Sequence, residues 1–156
     1  RDRRYPAVSV AEVAYDVRPE GYDMLGSYTG GFNENDAKMQ PFLPSIITVP
    51  RSGGGAKTMT WPVSLAEDDL PGSRVVKTRR ARELTVACLV FPQAATEDAV
   101  QYWARELEKK LAADGLSGAP GHETNSVVAQ YDAIFSVGDR RNEVWIPLAP
   151  GHPWDN

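Results

Sequence analysis

The chain has 156 residues, with 17 lysines and arginines against 21 aspartates and glutamates, a net charge of −4 and a pI near 5.2. This length fits one ordinary domain, and 42% hydrophobic residues separate it from the highly charged class of disordered chains. The acidic balance argues against nucleic-acid binding through a basic face. A single cysteine, Cys88, excludes an internal disulfide framework, and no apolar run approaches the ~18 residues of a membrane span.

Glycine and proline are frequent, at 13 and 12 residues, which predicts short elements joined by many turns. Strands are predicted where β-branched and aromatic residues run together or alternate with polar ones. Pro62 in the third of these runs favours a position at the edge of a sheet. The predicted strands cover residues 7–15, 46–49, 58–65, 74–78, 83–91, 126–131 and 143–148.

Two helices are predicted between these strands. Pro19 suits the first turn of a short helix that ends at Gly30-Gly31. The second helix covers about 97–114, with Thr96 as its N-cap, Gly115 after its end and apolar residues at spacings of three and four. That apolar stripe must pack on a sheet. The element order predicts one α+β domain over residues 1–149 with a largely antiparallel sheet, followed by a C-terminal tail, 150–156.

Few polar clusters in the sequence point to catalysis or metal binding. Residues 53–58 resemble a phosphate-binding loop, but an alternating strand follows where that motif needs a helix. His122 and His152 lack a second ligand at metal spacing, so each is either a solvated loop residue or a lone iron ligand. The acidic run 67–69 and the basic run 77–82 are typical of solvated surface; a calcium site and contact with acidic groups are the alternatives. No nucleophile is evident, and we predict that the protein is not an enzyme.

The first predicted helix carries candidates for ligand contact. Tyr22, Leu25 and Tyr28 provide apolar surface, and core packing is the favoured interpretation for the last two. Gly26 and Gly30 would let a flat ligand approach the backbone closely, because glycine has no side chain.

Ordered motifs along the chain match those of a known family. Residues 4–8 read Arg-Tyr-Pro-Ala-Val, residues 25–33 combine a helix end with a glycine pair and Asn33, and residues 140–145 read Arg-Arg-Asn-Glu-Val-Trp. In this order, and with further correspondences between them, these segments resemble the SOUL heme-binding protein family. The last motif is the most specific, and together the segments cover nearly the whole chain.

The resemblance implies a distorted antiparallel β-barrel flanked by two α-helices. It also implies non-covalent binding of heme or a related tetrapyrrole, as a carrier, buffer or sensor and without catalysis. Carried onto matching positions, the family's cleft would place Tyr22, Leu25 and Gly26 on one wall and the loop 133–139, with Phe135, on the other. The sequence departs from the family pattern at residues 39–44 and in a shortened first helix.

These departures support a second hypothesis. A rebuilt loop and the aromatic tail 150–154 are features of an interaction subunit in a larger assembly, one that has kept the SOUL fold and turned it toward a protein partner. The chain begins at Arg1 and not at methionine. We therefore expect a processed precursor imported into a plastid, with the cytoplasm as the alternative.

Overall fold

Eight β-strands and two α-helices form the regular structure of residues 1–131 and 141–152, the part of the chain that the computed structural model describes. Among these residues, no helix combines the length and hydrophobicity needed to span a bilayer. The elements in chain order are β1 (Asp2–Tyr5), β2 (Val8–Tyr15), α1 (Arg18–Thr29), β3 (Ser45–Pro50), β4 (Lys57–Pro62), β5 (Lys77–Ala81), β6 (Leu84–Phe91), α2 (Glu97–Ala113), β7 (Asn125–Gln130) and β8 (Asn142–Pro147).

All eight strands belong to one antiparallel sheet with the order β1-β6-β8-β7-β3-β4-β2-β5. The sheet curls into a half-barrel, so that its two edge strands, β1 and β5, border the same groove. Helix α1 packs on β2 and β4, and α2 packs on β6, β7 and β8. The predicted α+β fold, a distorted antiparallel barrel with two flanking helices, is confirmed.

The helices cover one face of the sheet and leave the other open. Successive residues of a strand point to opposite faces, so that Ile47 is fully buried under the helices while Ile46 lies half-buried on the open face. The helix-covered face holds the larger core, built from strand residues and from the apolar stripe of α2. Its fully buried members include Ile47, Met59, Phe91, Val128 and Val144, with Val100, Leu107 and Leu111 from α2.

The second helix forms where its end signals predicted. Thr96 Oγ1 accepts a hydrogen bond from the backbone N–H of Ala99 at 3.2 Å, which satisfies one of the free donors of the first turn. Gly115 follows the helix with φ of +72°, a conformation that glycine adopts without a steric penalty.

Two strand predictions need correction. Strand β4 lies inside the sheet, between β3 and β2, and not at an edge. Pro62 is tolerated there because pairing with β3 ends at Thr60, so its missing N–H removes no bond to that strand. Strand β5 begins at Lys77 and not at residue 74, because Ser73 Oγ accepts the N–H groups of Val75 and Val76 and holds them in a turn.

Candidate functional site

Helix α1 is held by its own end residues. The carboxylate of Glu20 accepts the backbone N–H groups of Asp16 and Val17, at 3.2 and 3.4 Å, just before the helix begins. At the other end Gly31 has φ of +112° and turns the chain away. The helix therefore presents a fixed set of side chains to the sheet and to solvent.

The residues predicted to bind a ligand occupy different depths on α1. Leu25 is fully buried, as is Tyr28, so the core interpretation is confirmed for both. Tyr22 is half-buried, and Gly26 is exposed, with no atom of the described residues within 4 Å of the position that a Cβ would take. Phe135, predicted on the opposite wall, lies outside the described residues. The surface that α1 itself offers is thus the flank formed by Tyr22 and Gly26.

Tyr22 connects this flank to the ends of two strands. Its hydroxyl donates to Gln130 Oε1 at 3.1 Å, and its ring lies 5.9 Å from that of Trp61. Gln130 Nε2 donates to Asn142 Oδ1 at 3.2 Å, and Asn142 Nδ2 donates to the carbonyl of Gln93 at 2.8 Å. Gln130 ends β7 and Asn142 begins β8, so these hydrogen bonds tie the flank of α1 to the ends of both strands. The segment predicted to face the helix, residues 133–139, lies outside the described residues.

A cavity of about 760 Å³ lies on the other flank of α1. Met24 and Ser27 line it, and with 3.6 residues per turn they stand on the opposite side of the helix from Tyr22 and Gly26. The side chain of Phe32, which is 84% exposed, and that of Val75, which is 61% exposed, form its rim. The lining includes three carboxylates, from Asp23, Glu34 and Asp36, and one guanidinium, from Arg74.

A second cavity, of about 680 Å³, occupies the open face of the sheet. We call it the sheet groove; residues from all eight strands line it. Apolar side chains form its floor, the loop at Phe42, Leu43 and Pro44 forms one side, and the β5 edge forms another. The floor residues are Val8, Val10, Ile46, Leu84, Val127 and Trp145. The rebuilt segment 39–44 therefore contributes to the sheet groove, a surface that the sequence did not predict.

A buried carboxylate stands at the β1–β8 side of the open face. Glu143 is fully buried and accepts hydrogen bonds from Arg3 at 2.6 Å, Arg141 at 3.0 Å, Tyr131 at 3.2 Å and Trp145 Nε1 at 3.2 Å. The Tyr131 hydroxyl also lies 2.7 Å from that of Tyr5. Burial is the main cause that raises the pKa of both tyrosines above the ordinary value.

This network explains the Arg-Asn-Glu motif at residues 141–143 in structural terms. Arg141 and Glu143 pair with each other on the open face, while Asn142 between them ties β8 to β7 and to the chain after β6. The motif thus joins strands that are distant in sequence. A charged residue within a buried strand, two positions before a tryptophan, was the signal available in the sequence.

Two of the remaining polar candidates are explained by their local structure. His122 Nδ1 lies 2.9 Å from the carbonyl of Ala119, and its ring also contacts Glu108 and Glu123. Residues 67–69 form an exposed turn, and Cys88 is buried in β6 as predicted. Within residues 1–131 and 141–152, no group of three or more His, Cys, Asp or Glu side chains could hold a metal ion.

Comparison with known proteins gives one family and several related folds. The profile of the SOUL heme-binding protein family matches residues 2–147. No curated protein sequence matches the chain. The crystal structure of the EcmrR C-terminal domain is similar with a TM-score of 0.61 and 12% identity, over 96% of this chain and 96% of that one.

Two further structures share the fold. EcmrR in its DNA complex has a TM-score of 0.63 and 9% identity over 95% of this chain, which spans 56% of the EcmrR chain. A hydrolase from Listeria innocua has a TM-score of 0.57 and 11% identity, over 95% of this chain and 91% of that one. At such low identity these similarities describe the fold alone.

Proposed function

The chain belongs to the SOUL heme-binding protein family, and on this premise we propose that it binds heme or a related tetrapyrrole non-covalently, as a carrier, buffer or sensor. The proposal is for binding without catalysis. The similar structure from Listeria innocua is named a hydrolase, but its similarity to this chain is one of fold and does not carry the activity over.

One observation supports this proposal most directly: the contact between Tyr22 of α1 and Gln130 at the end of β7. It holds the exposed flank of α1 beside the end of β7, from which the chain continues into residues 132–140. A cleft between this flank and the following segment would let a macrocycle lie against Tyr22 and over Gly26, where no side chain of the described residues obstructs it. Leu25 supports the helix from the core, and Phe135 is proposed for the opposite wall. Removing apolar macrocycle surface from water supplies the binding free energy, at about 25 cal/mol per Å².

The test is a titration of the purified chain with hemin and with protoporphyrin IX, followed by absorption in the Soret region. We expect a saturable spectral change at micromolar concentration. Gly26→Glu should weaken binding about tenfold or more, because it places a bulky anion where the apolar ring would lie. Glutamate suits a helix better than glycine, so this variant should stay folded.

Gly54→Glu is the matched control, since Gly54 is also exposed and has open space at its Cβ position. It lies in the loop between β3 and β4 and should leave tetrapyrrole affinity unchanged. An absence of any saturable Soret change would reject tetrapyrrole binding. Equal affinities of the two glutamate variants would instead reject the cleft on α1.

A second candidate function is supported by the rim of the cavity beside Met24. Phe32 and Val75 expose large apolar side chains there, as residues that anchor protein interfaces do. An interaction subunit would use this surface, in a plastid assembly or in the cytoplasm. The protein purified from its source should then co-migrate with a partner that Phe32→Ser releases, whereas a strictly monomeric species would contradict this role. A fluorescent fusion of the protein as its gene encodes it would test the plastid location.

A further inference from the structure

The sheet groove is a concave apolar surface on the opposite face of the sheet from α1. Four of its floor residues, Val8, Ile46, Leu84 and Val127, are only partly buried although each belongs to a strand with a neighbour on both sides. Phe42 and Leu43 on its side are 48% and 64% exposed. A volume of about 680 Å³ is within the range of small-molecule sites. Adjoining apolar side chains in such a concavity favour a ligand with a hydrophobic body.

In the sheet groove the carboxylates have cationic partners, whereas some of the arginines have no anionic partner. Its lining includes two carboxylates, and each already has a cation: Glu12 pairs with Arg79 at 3.5 Å and accepts from Thr60 at 2.6 Å, while Glu83 pairs with Arg4 at 3.2 Å. Two further arginines of the lining, Arg80 and Arg82, are exposed and make no ion pair with any described residue.

One of these arginines, Arg82, gives the groove an unpaired positive charge. The Arg80 side chain points the other way, because Arg80 pairs with Ser9, which alternates with the floor residues Val8 and Val10 and so faces the helix-covered side. Since both carboxylates of the lining are paired, with Arg79 and with Arg4, Arg82 leaves one unbalanced positive charge at the groove of a chain whose net charge is −4. Guanidinium groups bind carboxylates through paired hydrogen bonds.

From this combination we propose that the sheet groove binds an amphipathic monocarboxylate, with its apolar chain on the strand floor and its carboxylate at Arg82. One negative charge balances the unpaired positive charge at the rim. A bound apolar chain also removes the partly exposed floor from water. This site is independent of the tetrapyrrole cleft, because it lies on the open face and shares none of that cleft's residues.

Three probes with the same chain and different head groups test the proposal: decanoate, 1-decanol and decylammonium. Binding is followed by NMR chemical shifts of the backbone amides and the methyl groups. We expect decanoate to bind most tightly and decylammonium least tightly, with shifts concentrated on Val8, Ile46, Leu84 and Val127. Equal affinities for the three probes, or shifts confined to α1 and α2, would overturn the proposal.

Two pairs of variants separate head-group recognition from the apolar floor. Arg82→Gln should lower decanoate affinity about fivefold and leave decanol affinity unchanged, since an exposed ion pair contributes modestly to binding. Arg105→Gln, on the exposed side of α2, is its control and should have no effect. Leu43→Ser should weaken all three probes, whereas Tyr102→Ser, also exposed and apolar but on α2, should not. An unchanged decanoate affinity after Arg82→Gln would contradict the proposed head-group site.

The same measurements distinguish this proposal from tetrapyrrole binding. Gly26→Glu should leave decanoate binding intact, because Gly26 lies on α1 and outside the sheet groove. Decanoate binding without a Soret response would reject the tetrapyrrole proposal alone. A Soret response without decanoate binding would reject the sheet groove alone.

Discussion

The two faces of the sheet are built from the same strands but are stabilised differently. On the helix-covered face, apolar side chains pack under α1 and α2 and are almost all fully buried. On the open face, a small apolar cluster around Val86, Cys88, Ala129 and Trp145 is accompanied by a buried carboxylate with four donors. A curled sheet can therefore bury one face with helices and stabilise the other with a polar network, which leaves part of it open for a ligand.

The largest expected effect comes from removing the centre of that network. Glu143→Ala leaves the guanidinium groups of Arg3 and Arg141 and the indole N–H of Trp145 without their shared acceptor. We expect the free energy of unfolding to fall by about 3–5 kcal/mol, because truncating this fully buried side chain leaves a cavity and the buried indole N–H of Trp145 loses its acceptor. The partly exposed side chains of Arg3 and Arg141 lose an ion pair in addition. Urea denaturation followed by circular dichroism measures the change.

Glu83→Ala provides the comparison, since Glu83 also pairs with an arginine but more than half of each side chain is exposed. That variant should lose less than about 1 kcal/mol. Similar losses in the two variants would show that the network on the open face contributes no more than a surface ion pair.

A neighbouring pair of isoleucines compares the two faces directly. Ile47→Ala removes a fully buried side chain from the helix-covered core and should cost about 2–5 kcal/mol. Ile46→Ala removes the same atoms from the partly exposed floor of the sheet groove and should cost about 1 kcal/mol. Thermal and urea denaturation of both variants give the difference. Equal costs would mean that the open face is packed as tightly as the core.

The sequence predicts the elements whose bounds depend on residues close together in the chain. The bounds of α2 follow from Thr96 and Gly115, and most strands follow from β-branched runs. Adjacent apolar residues such as Ile46 and Ile47 do not reveal which face a helix will cover, because that depends on strand order and on the curl of the sheet. The sheet groove was missed for this reason. The contact between Tyr22 and Gln130 joins residues 108 positions apart, so no local pattern could predict it. The family resemblance placed Tyr22 opposite residues 133–139, which lie outside the described residues.

The smallest expected effect is an alkaline pH dependence, in which Tyr131 on the open face has the largest pKa shift and the pKa values of Tyr15 and Tyr28 on the helix-covered face are also raised. Burial raises the pKa of Tyr131 and of Tyr5 above the ordinary value of 10.0. The folded protein then holds these protons at a pH where the unfolded chain releases them, so stability is complete below pH 10 and falls as the pH rises above it. Half a pH unit above that value, one such tyrosine lowers the free energy of unfolding by ~0.8 kcal/mol or less.

Tyr131→Phe identifies the origin of this pH dependence. The variant loses the hydroxyl that contacts Tyr5 and Glu143, so it should be less stable at neutral pH but lose less stability between pH 9 and pH 10.5. Tyr102→Phe, at an exposed position on α2, should match the parent chain across that range. Tyr28 donates to the carbonyl of Pro71 on the helix-covered side, and burial raises its pKa as well. If Tyr28→Phe reduced the loss of stability between pH 9 and pH 10.5 more than Tyr131→Phe does, the pH sensitivity would belong to the helix-covered face. The two faces would then differ only in their packing.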